Sequence, residues 1–89
     1  MRFPDIESRI SSPGELSQLL QEVKRCIAVG TLRQVRPANA QFAVNDILSV
    51  PNEGPWPDYL EAYFEDPRAK RYRLTVETFH GSGGSWQPV

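Results

Sequence analysis

Two alternating stretches constrain this chain more than any other feature. In DYLEAYFE (58–65), Leu60, Ala62 and Phe64 fall on one side and Tyr59, Glu61, Tyr63 and Glu65 on the other, the period of a half-buried strand. In RYRLTVETF (71–79), Tyr72, Leu74, Val76 and Thr78 alternate with Arg71, Arg73, Thr75 and Glu77. The five residues DPRAK (66–70) between them carry turn chemistry. If Glu65 lies opposite Arg71, then Phe64 meets Tyr72, Ala62 meets Leu74 and Leu60 meets Val76, each apolar residue against another. A slip by one residue sets every one of them against a polar neighbour. The sequence therefore predicts a hairpin with a defined register, an apolar face and a face of tyrosines and charges.

The apolar face needs a cover, and the strongest helix signal upstream supplies it. SPGE (12–15) places Ser12 as N-cap, Pro13 at the first helical position and Glu15 at the third, a capping box with a proline start. Leu16, Leu19, Leu20, Val23 and Ile27 form a narrow apolar stripe, and Gly30 stands where a left-handed C-cap is expected. A helix is predicted over about 13–29. TLRQVRP (31–37) has short-strand character, AQFAV within the ambiguous 38–50 could begin a strand, and 45–50 is expected to be one. PNEGPWP (51–57) is a loop. Residues 1–11 show no clear period and are expected to be a loose N-terminal arm, although Phe3 and Ile6 could pack. The predicted fold is α+β: one N-terminal amphipathic helix on a small, mostly antiparallel sheet of three or four strands, in a single domain over residues 1–89.

Composition sets the outer limits. With 89 residues, 24% charged and 39% apolar, the chain reads as an ordinary small globular domain. No apolar run approaches the roughly 18 residues of a spanning helix, and the N-terminus lacks the apolar stretch of a signal peptide. No membrane partner and a cytoplasmic location are the expectations. The net charge of −1 gives no general attraction to nucleic acid. Cys26, the single cysteine, forms no internal disulfide and lies in the helical pattern as a small buried hydrophobe.

The segment TFHGSGGSW (78–86) asks for a function. Glycine loops that bind phosphate depend on the N-terminus of a helix behind them. Only five residues follow Gly84, one of them a proline, and the lysine of a Walker loop is missing. His80 and Ser82 suggest a small hydrolase or ligand-binding domain. However, no G-x-S-x-G elbow is present, and Glu77 and His80, three apart on a strand, point to opposite faces. One histidine and one cysteine far apart match no zinc spacing, and Asp46, Glu53, Asp58 and Asp66 form no calcium loop. No enzyme, cofactor or metal is expected. The glycines are read as conformational, letting the chain turn so that Trp86 docks on the fold.

Two binding readings remain. Arg68, Lys70, Arg71 and Arg73 with Tyr72 could serve a nucleic-acid accessory protein, but Glu61, Glu65 and Asp66 lie across the hairpin and neutralise much of that patch. The outer face suits a protein partner better. Tyr59, Tyr63, Arg71 and Arg73 project with Glu61 and Glu65, while Trp56 precedes the first strand and His80 and Trp86 follow the second. Tyrosine, tryptophan and arginine are enriched at binding hot spots. The competing reading is a second layer over the tyrosines, drawn from the N-terminal arm or residues 38–44. An uncovered edge strand would permit a homodimer.

YLEAYFEDP followed by RYRLTVETF and a histidine–glycine end resembles the C-terminal half of small bacterial immunity proteins of polymorphic-toxin and contact-dependent competition systems. The resemblance covers roughly residues 56–86 and departs at VETFHGSGGSW, where a proline-containing stretch and an HGGGPP-like end would stand. It implies binding and blocking of a cognate toxin, without catalysis.

Overall fold

A computed structural model describes residues 3, 5, 7–36, 46–78 and 83–89. Within them the chain runs β1 (Ser8–Ile10), α1 (Pro13–Ala28), β2 (Arg33–Val35), a 3₁₀ turn (Ile47–Ser49), β3 (Tyr59–Glu65), β4 (Arg71–Glu77) and β5 (Gly83–Pro88). The fold is α+β, with one α-helix among the described residues and a sheet of order β1-β5-β4-β3-β2 in which every neighbouring pair is antiparallel. Five strands, rather than three or four, make the sheet. The two unanticipated ones are the pair β1 and β5. Ser8–Ile10, expected in a loose arm, is too short for alternation to show. Gly83–Pro88 carries glycines and a proline that read as loop.

The β3–β4 hairpin has the expected register, with Glu65 opposite Arg71, Phe64 opposite Tyr72, Ala62 opposite Leu74 and Leu60 opposite Val76. Its turn is built by Asp66, whose Oδ1 accepts from the backbone N–H groups of Arg68 and Lys70, both at 2.9 Å. Ala69 takes a positive φ of 68°.

Helix α1 starts on Ser12, whose Oγ accepts from the Glu15 backbone N–H at 3.2 Å. The return arm of the box lands one residue outward: Glu15 Oε1 accepts from the Ser11 backbone N–H at 2.9 Å and from the Ser11 hydroxyl at 2.6 Å. These bonds hold the Glu15 carboxyl below its usual range. The helix ends at Val29, and Gly30 takes φ +83° to turn the chain away. Leu16, Leu19, Leu20, Val23 and Cys26 are buried, with Ile27 packed beside them. Burial pushes the Cys26 thiol up, which suits an inert core position.

The stretch expected as a strand over 45–50 is corrected over its described residues to the 3₁₀ turn. Asp46 accepts from Leu48 N–H and the Ser49 hydroxyl, both at 3.2 Å, and so closes a turn where a strand would have to stay open. Ile47 and Val50, three apart, both enter the core, while Leu48 faces outward.

The core joins the α1 stripe to Ile10, Leu60, Ala62, Phe64, Tyr72, Leu74, Val76 and Trp86 on one face of the sheet. Trp86 lies at its centre, stacked on Tyr72 at 5.4 Å between ring centroids, with Phe64 at 5.2 Å and Phe3 at 4.7 Å. The Tyr72 hydroxyl donates to Asp5 at 2.8 Å, and the Lys70 ammonium stands 3.6 Å from the same carboxylate. Phe3 and Asp5 thus fasten the N-terminal segment to the core side of the sheet.

This fastening predicts a pH dependence. The Tyr72 hydroxyl, with help from Lys70, holds the Asp5 carboxyl below its ordinary value. A depressed folded-state pKa contributes stability above the ordinary carboxylate range, and that contribution disappears as pH falls through the folded value. Burial, and then the bond to Asp5, push the Tyr72 phenol up. Its contribution is complete below the ordinary phenol pKa of about 10 and is lost as pH rises beyond it. The melting-temperature gap between the parent and Asp5→Ala should be widest between about pH 5 and pH 9 and close on either side. Thermal melts across pH measure it; a gap independent of pH would contradict the pairing.

Candidate functional site

Because the apolar face is used by the core, the opposite face of the sheet is where chemistry is displayed. Pairing sets out its rows. Arg33 of β2, Glu65 of β3 and Arg71 of β4 form one row. Val35, Tyr63, Arg73 and Gln87 form the next. Glu61, Thr75, Ser85 and Arg9 form the third, and Tyr59 and Glu77 lie beyond.

Glu61 and Glu65 are buried on this face and Glu77 is half-buried, contrary to the expectation that Glu61 and Glu65 would project with the tyrosines. Glu61 is 5% exposed. The Tyr63 hydroxyl donates to its Oε2 at 2.6 Å and the Tyr59 hydroxyl to its Oε1 at 3.2 Å, so two phenols close over one carboxylate. These are charge-assisted bonds, and they fix both rings. The bond to Glu61 pushes the Tyr63 phenol up, and desolvation followed by Glu61 does the same to Tyr59. Arg73 is close enough to both phenols to oppose those shifts. Glu65 lies under two guanidiniums: Arg33 Nη2 donates to Oε1, and Arg71 Nε donates to Oε2 at 3.2 Å. The two arginines hold its carboxyl below the usual range.

The arginines are what reaches solvent. The side chain of Arg33 is 72% exposed and that of Arg71 56% exposed, although both rest on Glu65. Arg9 and Arg73 are exposed, and Arg73 Nη2 donates to Gln87 Oε1 at 3.0 Å. Tyr59 is 43% exposed and Tyr63 half-buried. The described part of the N-terminal arm does not cover them, since Phe3 packs on Trp86 at the other face. Residues 38–44, the other suggested cover, lie outside the described residues.

No family model, curated protein or solved structure matches the chain. The reading of the site therefore rests on its own chemistry.

Of the residues singled out in the sequence, Tyr59, Tyr63, Arg71 and Arg73 are brought together on the open face, with Glu61 and Glu65 beneath them. Trp86 is corrected from a surface contact to the centre of the core, 0% exposed, because its position on β5 falls on the apolar side of the sheet. Trp56 is half-buried against the core, and its indole N–H donates to the Pro51 carbonyl at 2.7 Å. His80 and Ser82 lie outside the described residues. Sequence reasoning missed Arg9 and Arg33, which come from short edge strands whose pairing partners are distant in sequence. It also missed Gln87.

The basic cluster at the hairpin tip is divided among acidic partners. Arg68 stands 3.9 Å from Asp66, Lys70 pairs with Asp5, and Arg71 with Glu65. Lys70 also lies 5.7 Å over the Tyr72 ring. Among the described residues, no three His, Cys, Asp or Glu side chains are grouped to hold a metal ion. Also among them, no helix is long and apolar enough to cross a membrane.

Proposed function

We propose that this chain is a non-enzymatic protein-binding domain whose contact surface is the open face of the sheet. The observation that carries the reading is the clamp of Tyr59 and Tyr63 on buried Glu61, next to Arg73. Two aromatic rings held by a buried carboxylate lose little freedom when a partner lands on them, and preorganised tyrosine and arginine are the usual anchors of an interface. The finer proposal follows the resemblance of residues 56–86: a cytoplasmic bacterial immunity protein that neutralises a cognate toxin by covering it.

The test starts from the neighbouring gene: where it encodes a toxin-like protein, that protein is purified and titrated with the chain. Tyr63→Phe removes the hydroxyl that donates to Glu61 and leaves the ring. Tyr63→Ala removes both. Tyr63→Ala should weaken the dissociation constant about 10- to 30-fold, as expected of an interface anchor worth about 2 kcal/mol, and Tyr63→Phe should weaken it less. Calorimetry measures both, with thermal melts to show that each variant is folded. Unchanged affinity in folded Tyr63→Ala would remove this face from the interface.

A further inference from the structure

The charge on the open face is unevenly placed, and this says what it recognises. The chain as a whole carries −1. On the open face, however, the carboxylates of Glu61 and Glu65 are buried beneath tyrosines and arginines, while Arg9, Arg33, Arg71 and Arg73 reach solvent. Glu65 is shared by two guanidiniums, and each guanidinium has more N–H donors than its one observed bond to that carboxylate uses. Arg73 meets the neutral amide of Gln87. What an approaching molecule meets is thus cationic and rich in unused donors.

Resting on the reading of this face as a contact surface, we infer that its partner is a protein presenting an acidic extended segment, with carboxylates on alternate residues. Arg71 and Arg73 stand on the same side of β4, two residues apart, a spacing of about 7 Å along a strand. An extended segment repeats its side chains on one side at the same spacing, so carboxylates at alternate positions meet the two guanidiniums together. Planar guanidiniums take carboxylates in a bidentate fork, which selects geometry as well as charge. Arg33, in the row of Arg71, and Arg9, in the separate row of Thr75, place a basic side chain on each edge strand of the sheet. A nucleic-acid backbone suits the chain less well, because its net charge of −1 gives no long-range attraction to a polyanion, whereas a short acidic segment engages only the arginines of this face.

The experiment is an NMR titration of the isotope-labelled full chain, following backbone amides and arginine side-chain N–H groups. Three probes are compared at low and physiological salt: a peptide alternating glutamate with threonine, the same peptide with lysine for glutamate, and a single-stranded oligothymidylate. The glutamate peptide should shift Arg71, Arg73 and Arg33 resonances. Its affinity should fall with added salt and weaken about tenfold in Arg73→Gln. Arg9→Gln should weaken it less. Preference for the lysine peptide on the same face would overturn the acidic partner and leave the contact surface standing. Tighter binding of the oligonucleotide would overturn it in favour of nucleic acid. Absence of any shift on the face with all three probes would also overturn it. Loss of toxin binding in folded Tyr63→Ala is read independently of all these outcomes.

Discussion

Gly84→Ala should remove a large share of the stability of this domain. A Cβ at Gly84 would stand 1.9 Å from the Thr75 carbonyl oxygen and 2.6 Å from the Val76 Cα. Both are backbone atoms of β4, so no side chain can swing aside. Strand β5 lies between β1 and β4, and a shift that relieves the clash strains both ladders. Gly83 adds a second constraint, since its Cβ would stand 1.9 Å from the Ile10 carbonyl oxygen at a φ of +82°. Overpacking of this kind costs about 3 kcal/mol or more at each site. A domain of this length holds roughly 4–13 kcal/mol in all. Gly30→Ala is the control, because it shares the positive φ but meets nothing within 4 Å, and should cost only about 1 kcal/mol. Urea denaturation of Gly84→Ala, Gly83→Ala and Gly30→Ala gives the comparison. If Gly84→Ala melted with Gly30→Ala, β5 would not be seated between its neighbours as described.

The same glycines explain which parts of the fold were legible in the sequence. The β3–β4 hairpin could be read to the residue because its signal is local: alternation in two nearby runs and a turn between them. Helix α1 was legible for a similar reason, from Ser12 and Pro13 to Gly30. Strand β5 was hidden because the requirement it meets is not local. Gly83 and Gly84 are small to let Ile10 and Thr75, distant in sequence, come close, and composition alone cannot tell that use from a loop. Strand β1 becomes visible only once β5 is known. The 3₁₀ turn was misread because Ile47 and Val50 look like strand residues until Asp46 is seen to close the turn.

The candidate site was legible in outline and reversed in one respect. Parity alone places Tyr59, Tyr63, Arg71 and Arg73 on one face. It says nothing of height above the sheet, and height decides which charges a partner meets. Glutamate is short enough to lie under a tyrosine ring or a guanidinium, and long arginine side chains extend past it. A face that is mixed in sequence therefore becomes cationic in solvent.

Trp86→Ala is expected to cost about 3–5 kcal/mol, the range for removing a large aromatic from a packed core. The indole is 0% exposed and touches Phe3, Phe64 and Tyr72, so its loss opens a cavity where the N-terminal segment, the hairpin and β5 meet. Trp86→Phe keeps an aromatic ring against Tyr72 and should recover much of that loss. Since the chain has two tryptophans, Trp56 alone reports fluorescence in both variants, and denaturation can be followed through it. The result also separates the two uses once open to this residue. A core tryptophan loses stability on truncation and weakens a partner only in proportion to the unfolded fraction, so affinity per folded molecule stays constant. A contact tryptophan would do the reverse, leaving the melting temperature in place while affinity fell. That second outcome would move Trp86 to the surface and with it the register of β5, the strand that carries Gln87 beside Arg73 on the open face.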